Sequence, residues 1–83
     1  MNYFLYILYS KLIDKYYIGQ TQDISSRLYK HNNSGSKSTK KANDWKVVYT
    51  ESFPDRSSAC RREIELKKRK SRLYIESLIS DSE

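Results

Sequence analysis

Histidine and cysteine each occur once in these 83 residues, as His31 and Cys60. A lone cysteine excludes an intrachain disulfide, and one Cys with one His cannot assemble a zinc cluster. Cys60 falls in a helix-like stretch with no histidine close in sequence, and reads as a small buried or half-buried side chain. No apolar run approaches the ~20 residues that a membrane-spanning helix needs, so the chain is not expected to cross a bilayer. The first strand-like run lacks a basic leader and a small-residue cleavage site, so no signal peptide is expected and a cytoplasmic location follows. Internal repeats are missing as well. The length fits one domain over residues 1–83, with a modest core and marginal stability.

Acid is scarce relative to base. Ten Asp and Glu stand against sixteen Lys and Arg, for a formal charge of +6. Much of that excess is concentrated in Arg61, Arg62, Lys67, Lys68, Arg69, Lys70 and Arg72. Such a cluster points to a polyanionic partner, with nucleic acid ahead of acidic lipid. A solvated helix face that aids solubility is the simpler alternative.

Residues 3–9 are rich in Tyr, Phe, Ile and Leu and read as a strand. The Ser10–Lys15 segment reads as a hairpin loop and Tyr16-Tyr17-Ile18-Gly19 as the returning strand. Gly19 ends that strand where a side chain would obstruct whatever approaches the backbone. Thr21 or Asp23 can cap a helix that runs to about Asn32. From Asn32 to Lys41 turn formers dominate and no apolar residue occurs, so a basic loop is expected. Trp45 to Phe53 forms a third strand, with Trp45, Val47 and Tyr49 expected on one face. Asp55 or Ser57 then caps a helix to about Lys70, and Ser71 caps a last helix over Leu73–Ile79. The order β-β-α-β-α-α predicts an α+β fold, a three-stranded antiparallel sheet with flanking helices.

One position conflicts with its surroundings. Ala59 and Leu66 mark the buried stripe of the second helix at i and i+7, and Glu63 lies between them at i+4. A carboxylate there is costly unless it is paired or metal-bound. It can bond Lys67 at i+4, worth about 0.2–0.5 kcal/mol, or it can ligate a hard cation of the kind used in phosphoryl chemistry. Tyr6 and Tyr17 are brought onto one sheet by the hairpin, while Arg27 and His31 share a stripe four residues apart on the first helix. With eight tyrosines in the chain, each phenol alone reads as packing, Arg27 as a surface charge, and His31 as a helix-end residue favoured by the dipole. Their joint spacing is what points to chemistry.

That ordered set resembles the GIY-YIG nuclease superfamily, and within it the small single-domain bacterial proteins. The second tripeptide stands intact as Tyr17-Ile18-Gly19. The first is represented by Phe4-Leu5-Tyr6, which keeps the tyrosine without the Gly and Ile. Tyr6 to Ser10, Arg27 to Asn32, the Lys-Ser-Thr-Lys loop, the Trp-Lys-x-Val-Tyr strand and Arg62 to Lys67 also match the small members, so the resemblance covers about residues 3–79.

The resemblance implies metal-dependent endonuclease chemistry on an α+β fold, as in the repair and homing nucleases. Glu63 would hold a single divalent cation, Mg²⁺ or Mn²⁺. Tyr6 would be the general base or water-orienting phenol, and Tyr17 its hydrogen-bonded partner. Arg27 would brace the scissile phosphate with support from His31, and Gly19 would admit the substrate backbone. A phenol with a pKa near ~10 serves as a base at neutral pH only if a cation lowers that value or if it relays a proton; Arg27 and Lys15 are the candidate cations. Lys37, Lys40 and Lys41, with Arg61, Arg62, Lys67, Lys68, Arg69 and Lys70, would track a phosphate backbone, DNA ahead of RNA, without reading bases. The repair and homing nucleases attach separate DNA-binding domains, so activity here is expected to be weakly targeted or directed by a partner protein. The asparagine that many members carry after the metal-binding helix has no counterpart, since no Asn follows Asn43. That difference supports an alternative: a basic nucleic-acid-binding module with little or no catalysis.

Overall fold

The computed structural model describes residues 2–33 and 41–82. Three strands, β1 (Tyr3–Ser10), β2 (Lys15–Thr21) and β3 (Lys46–Phe53), and three helices, α1 (Ile24–Asn33), α2 (Arg56–Arg69) and α3 (Arg72–Asp81), follow the expected order β-β-α-β-α-α. The sheet is antiparallel throughout, with strand order β2-β1-β3. Lys37 and Lys40 lie outside the described residues. No helix among the described residues is long and apolar enough to cross a membrane.

The first strand is central and covered on both faces, which explains its nearly continuous apolar run. Leu5, Tyr6, Ile7 and Leu8 are all buried. On one face Leu5, Ile7 and Ile18 pack against Leu66 of α2 and Ile75 of α3. On the other, Tyr6 and Leu8 pack with Ala42 and Trp45, flanked by Ile24 and Leu28 of α1. Each fully buried Leu or Ile stabilises by about 1.5–3 kcal/mol, and a core of this size depends on a handful of them.

The third strand departs from simple alternation. Tyr49 pairs with Ile7 and Val47 with Leu8, so Val48 is an extra residue, a β-bulge. A bulge sets two residues against one on the partner strand and breaks the inside-outside alternation. Trp45 and Val47 therefore join the Tyr6 face, whereas Val48, Tyr49 and Phe53 pack on the Leu5–Ile7 face. The expectation that Tyr49 shares a face with Trp45 and Val47 is corrected by this shift.

Side-chain oxygens cap all three helices. Asp23, rather than Thr21, accepts from the Ser26 N–H at 3.1 Å, while Thr21 accepts from the Asp23 N–H at 3.1 Å and shapes the lead-in. Asp55 accepts from Ser58 at 2.8 Å and Ser71 from Tyr74 at 3.1 Å. Lys70 stands between α2 and α3 in the left-handed region, with φ 49°. The hairpin turns at Asp14, also left-handed at φ 51°, a conformation that a short polar side chain tolerates. Its carboxylate accepts from Tyr9 at 2.6 Å and Arg72 at 2.5 Å, fastening the turn to α3. Asp44 accepts from the buried Ser10 hydroxyl at 2.5 Å and from the Leu12 N–H at 2.9 Å. Those bonds, the Ser10 one first, hold its carboxyl below the usual range.

Asn32 closes the fold around the candidate site. Its amide accepts from the Trp45 N–H at 2.8 Å and donates to the Trp45 carbonyl at 2.9 Å, joining the end of α1 to the entry of β3. In the sequence Asn32 stands both at the expected end of the first helix and at the start of a run of turn formers. Asn32→Ala removes both bonds and is expected to cost about 1–3 kcal/mol, a fall of roughly 4–8 °C in Tm per kcal/mol for a domain of this size. Asn32→Asp, which keeps the acceptor and loses the donor, should fall between. An unchanged Tm in thermal unfolding of Asn32→Ala would show that the clamp contributes nothing.

Candidate active site

The site is built on one missing side chain. Tyr6 on β1 stands directly across from Gly19 on β2, and Tyr17 across from Leu8. A Cβ on Gly19 would lie 2.6 Å from the Tyr6 hydroxyl oxygen, 2.7 Å from its Cζ and 3.2 Å from Tyr17 Cε1. The Tyr6 ring therefore lies over the Gly19 backbone, and its hydroxyl is carried towards the β2 edge. Gly19 was expected to admit a substrate backbone; the space its missing side chain leaves is filled by the Tyr6 phenol.

At that edge the phenol meets α1. The Tyr6 hydroxyl is 3.0 Å from His31 Nε2, within a buried environment. The two tyrosine rings are 6.4 Å apart, and the His31 ring lies 4.7 Å from Tyr17 and 6.0 Å from Tyr6, so the three rings form one packed triangle. The expected pairing of His31 with Arg27 takes a different form: the imidazole bonds Tyr6, and Arg27 acts on both groups through its charge.

Burial sets the protonation states. It pushes the Tyr6 phenol up to about 12; Tyr17 adds to the rise, Arg27 opposes it, and Glu63 adds further. The expectation that a neighbouring cation brings the phenol down is thus half met, because Arg27 pulls in that direction and desolvation wins. Lys15, the other candidate, pairs with Ser10 at the hairpin end. His31 is held below its ordinary value of 6.5, first by burial and then by the Arg27 charge. Near neutral pH, a protonated phenol therefore faces a neutral imidazole, and in the tautomer that leaves Nε2 unprotonated the hydroxyl donates to it.

Glu63 approaches from α2, which packs against β1 and β2. Its side chain is 22% exposed and accepts from Lys67 Nζ at 2.7 Å. The same ammonium sits 5.9 Å over the Tyr17 ring. The ion pair with Lys67, one of the two sequence readings of Glu63, is present, and the carboxylate lies close enough to Tyr6 to influence its proton. No group of three or more His, Cys, Asp or Glu side chains that could hold a metal occurs among the described residues. The donor set suits a hard cation bound through one carboxylate, water and substrate oxygens, and does not suit zinc.

The basic cluster divides on inspection. Arg62 is committed to the fold: it forks onto both oxygens of Glu51 at 3.0 Å and reaches Glu65 at 2.7 Å, and Tyr49 donates to the same Glu51 carboxylate. Arg69 stacks 3.8 Å from the Tyr74 ring centre. Arg61, Lys68 and Lys70 are exposed on α2 and its end, and Lys41 is exposed as well. Arg27 is exposed and in no ion pair among the described residues. Sequence reasoning passed over Arg56, at the start of α2. The available signal was its spacing: it precedes Glu63 by two helical turns and so shares its stripe.

A family model described as the GIY-YIG catalytic domain matches residues 2–75. A UPF0213 protein of Staphylococcus saprophyticus is 44% identical over 52 residues, which are 61% of this chain and 63% of that protein. A UPF0213 protein of Staphylococcus epidermidis is 40% identical over 52 residues, with the same shares of 61% and 63%. The chain thus spans somewhat under two thirds of the length of these curated relatives. The solution NMR structure of a UPF0213 protein from Bacillus halodurans is similar in fold, with a TM-score of 0.59 at 37% identity, over 96% of this chain and 84% of that one.

Proposed function

Since the chain belongs to the GIY-YIG catalytic-domain family, we propose that it is a metal-dependent endonuclease that hydrolyses nucleic-acid phosphodiesters, DNA ahead of RNA, with little sequence preference of its own. The observation that carries the reading is the Tyr6–His31 couple: a buried phenol and a neutral imidazole 3.0 Å apart, with Arg27 and Glu63 close enough to act on the phenol electrostatically.

A phenol held near 12 is a poor free base at neutral pH. Its oxygen can still take a proton from an attacking water while its own proton passes to His31 Nε2, so Tyr6 orients and relays and His31 is the acceptor. Tyr17 packs against both rings and excludes bulk water from that path. Arg27, in no ion pair with a carboxylate among the described residues, would brace the scissile phosphate and offset the charge that grows there. Glu63 would hold a single Mg²⁺ or Mn²⁺, which when bound supplies further neutralisation at the leaving oxygen. Lys67 would then give up Glu63 and turn to substrate phosphate. Lys41, Arg61, Lys68, Arg69 and Lys70, together with Lys37 and Lys40, grip the phosphate backbone. In this reading the protein works in the cytoplasm on branched or nicked DNA, as a repair nuclease directed by a partner protein.

The test is incubation of supercoiled plasmid and of branched DNAs with Mg²⁺ or Mn²⁺, with and without chelator, across pH. Nicking is expected only with metal. The rate should fall as pH drops below 6.5, because a protonated imidazole cannot accept from Tyr6 and burial keeps His31 neutral down to lower pH than usual. The stability linkage has the same sign. The unfolded chain takes up this proton more readily, so the contribution of His31 is complete above 6.5 and is lost as pH falls below it. A flat acid limb would remove the relay. The Lys67 ammonium on Glu63 favours the second reading, a binding module. Salt-sensitive retention of DNA with no nicking under any divalent metal would establish that reading instead.

A further inference from the structure

Where β1 begins and β2 ends, Tyr3, Gln20, Thr21, Gln22, Arg27 and Arg56 line an open hollow of about 220 Å³. Two arginines from different helices line it, and no carboxylate side chain does. The contrast with the arginines nearer the helix junction is sharp. Arg62 and Arg72 are each held by carboxylates, whereas neither Arg27 nor Arg56 is in an ion pair among the described residues. The rest of the lining is hydroxyl and amide, which can bond phosphate and sugar oxygens without adding charge.

Position along α2 gives the hollow a relation to the candidate active site. Arg56 and Glu63 share a stripe, separated by two turns, or about 10.5 Å of helix rise. Arg27 belongs to both places, since its charge acts on Tyr6 and His31 while its side chain lines the hollow. From this we propose that the hollow is an anion subsite, in which Arg56 binds the phosphate next to the one being cut. A strand bound there runs along the α2 stripe from Glu63 past Arg27 to Arg56. The subsite rests on the nuclease reading for the identity of its anion, a nucleic-acid phosphate, and it gives the substrate strand a direction across the protein.

The experiment measures binding of a labelled oligonucleotide, single-stranded and duplex, over a range of salt and in chelator so that nothing is cut. Each phosphate contact contributes about 0.9 to the slope of log K against log salt on duplex and about 0.7 on single strands. Arg56→Ala is expected to lower the slope by about one contact and to weaken binding several-fold, uniformly across sequences. Arg56→Lys should restore most of the slope, and Arg56→Gln gives a second neutral variant, with folding of each checked by circular dichroism. Lys46→Ala, exposed on β3 at the opposite edge of the sheet, removes the same charge and should change the slope by less than half as much. If wild type binds and Arg56→Ala keeps its slope, or if Lys46→Ala loses as much, the subsite is overturned and the nuclease reading stands. A wild-type chain that binds neither oligonucleotide overturns both.

Discussion

Glu63→Gln is expected to reduce metal-dependent nicking by at least ~100-fold while leaving the protein folded. A catalytic cation contributes several kcal/mol of charge stabilisation, and about 1.36 kcal/mol corresponds to tenfold in rate. The fold loses far less. The Glu63–Lys67 pair is an i,i+4 contact with Lys67 52% exposed, and such pairs stabilise by about 0.3–0.5 kcal/mol. The expected fall in Tm is therefore a few degrees at most, by the usual ~4–8 °C per kcal/mol for small domains. Activity and melting temperature measured on the same preparation separate the two effects. Lys67→Ala gives the complementary result: it frees the carboxylate, so less metal should be needed for half-maximal nicking. Undiminished cleavage by Glu63→Gln would end the proposed metal role of this residue.

Gly19→Ala should be among the more damaging single-methyl changes available. The added carbon would lie 2.6 Å and 2.7 Å from atoms of a Tyr6 ring that is only 3% exposed, and 3.2 Å from Tyr17. A tyrosine ring is rigid beyond χ2, and this one is tied to His31, so relief requires the ring or the strand to move. Overpacking of this kind costs about 1–3 kcal/mol, or a Tm drop on the order of 5–20 °C. Nicking should fall by more than the lost folded fraction explains, because the displaced phenol no longer reaches His31. Tyr6→Phe in the alanine background relieves only the hydroxyl contact, so stability should return in part and activity should not. Calorimetry and the pH profile of nicking check both points, and a Gly19→Ala protein with wild-type Tm would refute the packing account.

Local signals in the sequence were strong where a helix starts or a stripe is buried. Asp55 and Ser71 cap as expected, and Ala59 and Leu66 are buried on α2. The element order followed from turn formers between runs of opposite periodicity. What could not be read depends on tertiary distance. Tyr6 and His31 are 25 residues apart, and nothing in either segment states that the imidazole meets the phenol rather than Arg27. Arg62 looked like any other cation in its cluster until the Glu51 carboxylate was seen beneath it. The bulge at Val48 carries no glycine or other local marker, so alternation assigned Tyr49 to the wrong face. The role of Asn32 could not be read because its partner is the backbone of Trp45, 13 residues on.

That bulge has a consequence for how this sheet tolerates change. Trp45 and Val47, at the entry of β3, contribute to the layer that contains Tyr6 and Tyr17, and Tyr49 and Phe53, beyond the bulge, contribute to the layer beneath α2 and α3. A single strand thus supplies two cores in two different frames. Substitutions at Trp45 or Val47 and at Tyr49 or Phe53 act on separate sets of neighbours, so their free-energy effects should add rather than couple. The layer that houses the candidate chemistry can therefore be altered from one end of β3 while the other end keeps the helical layer in place.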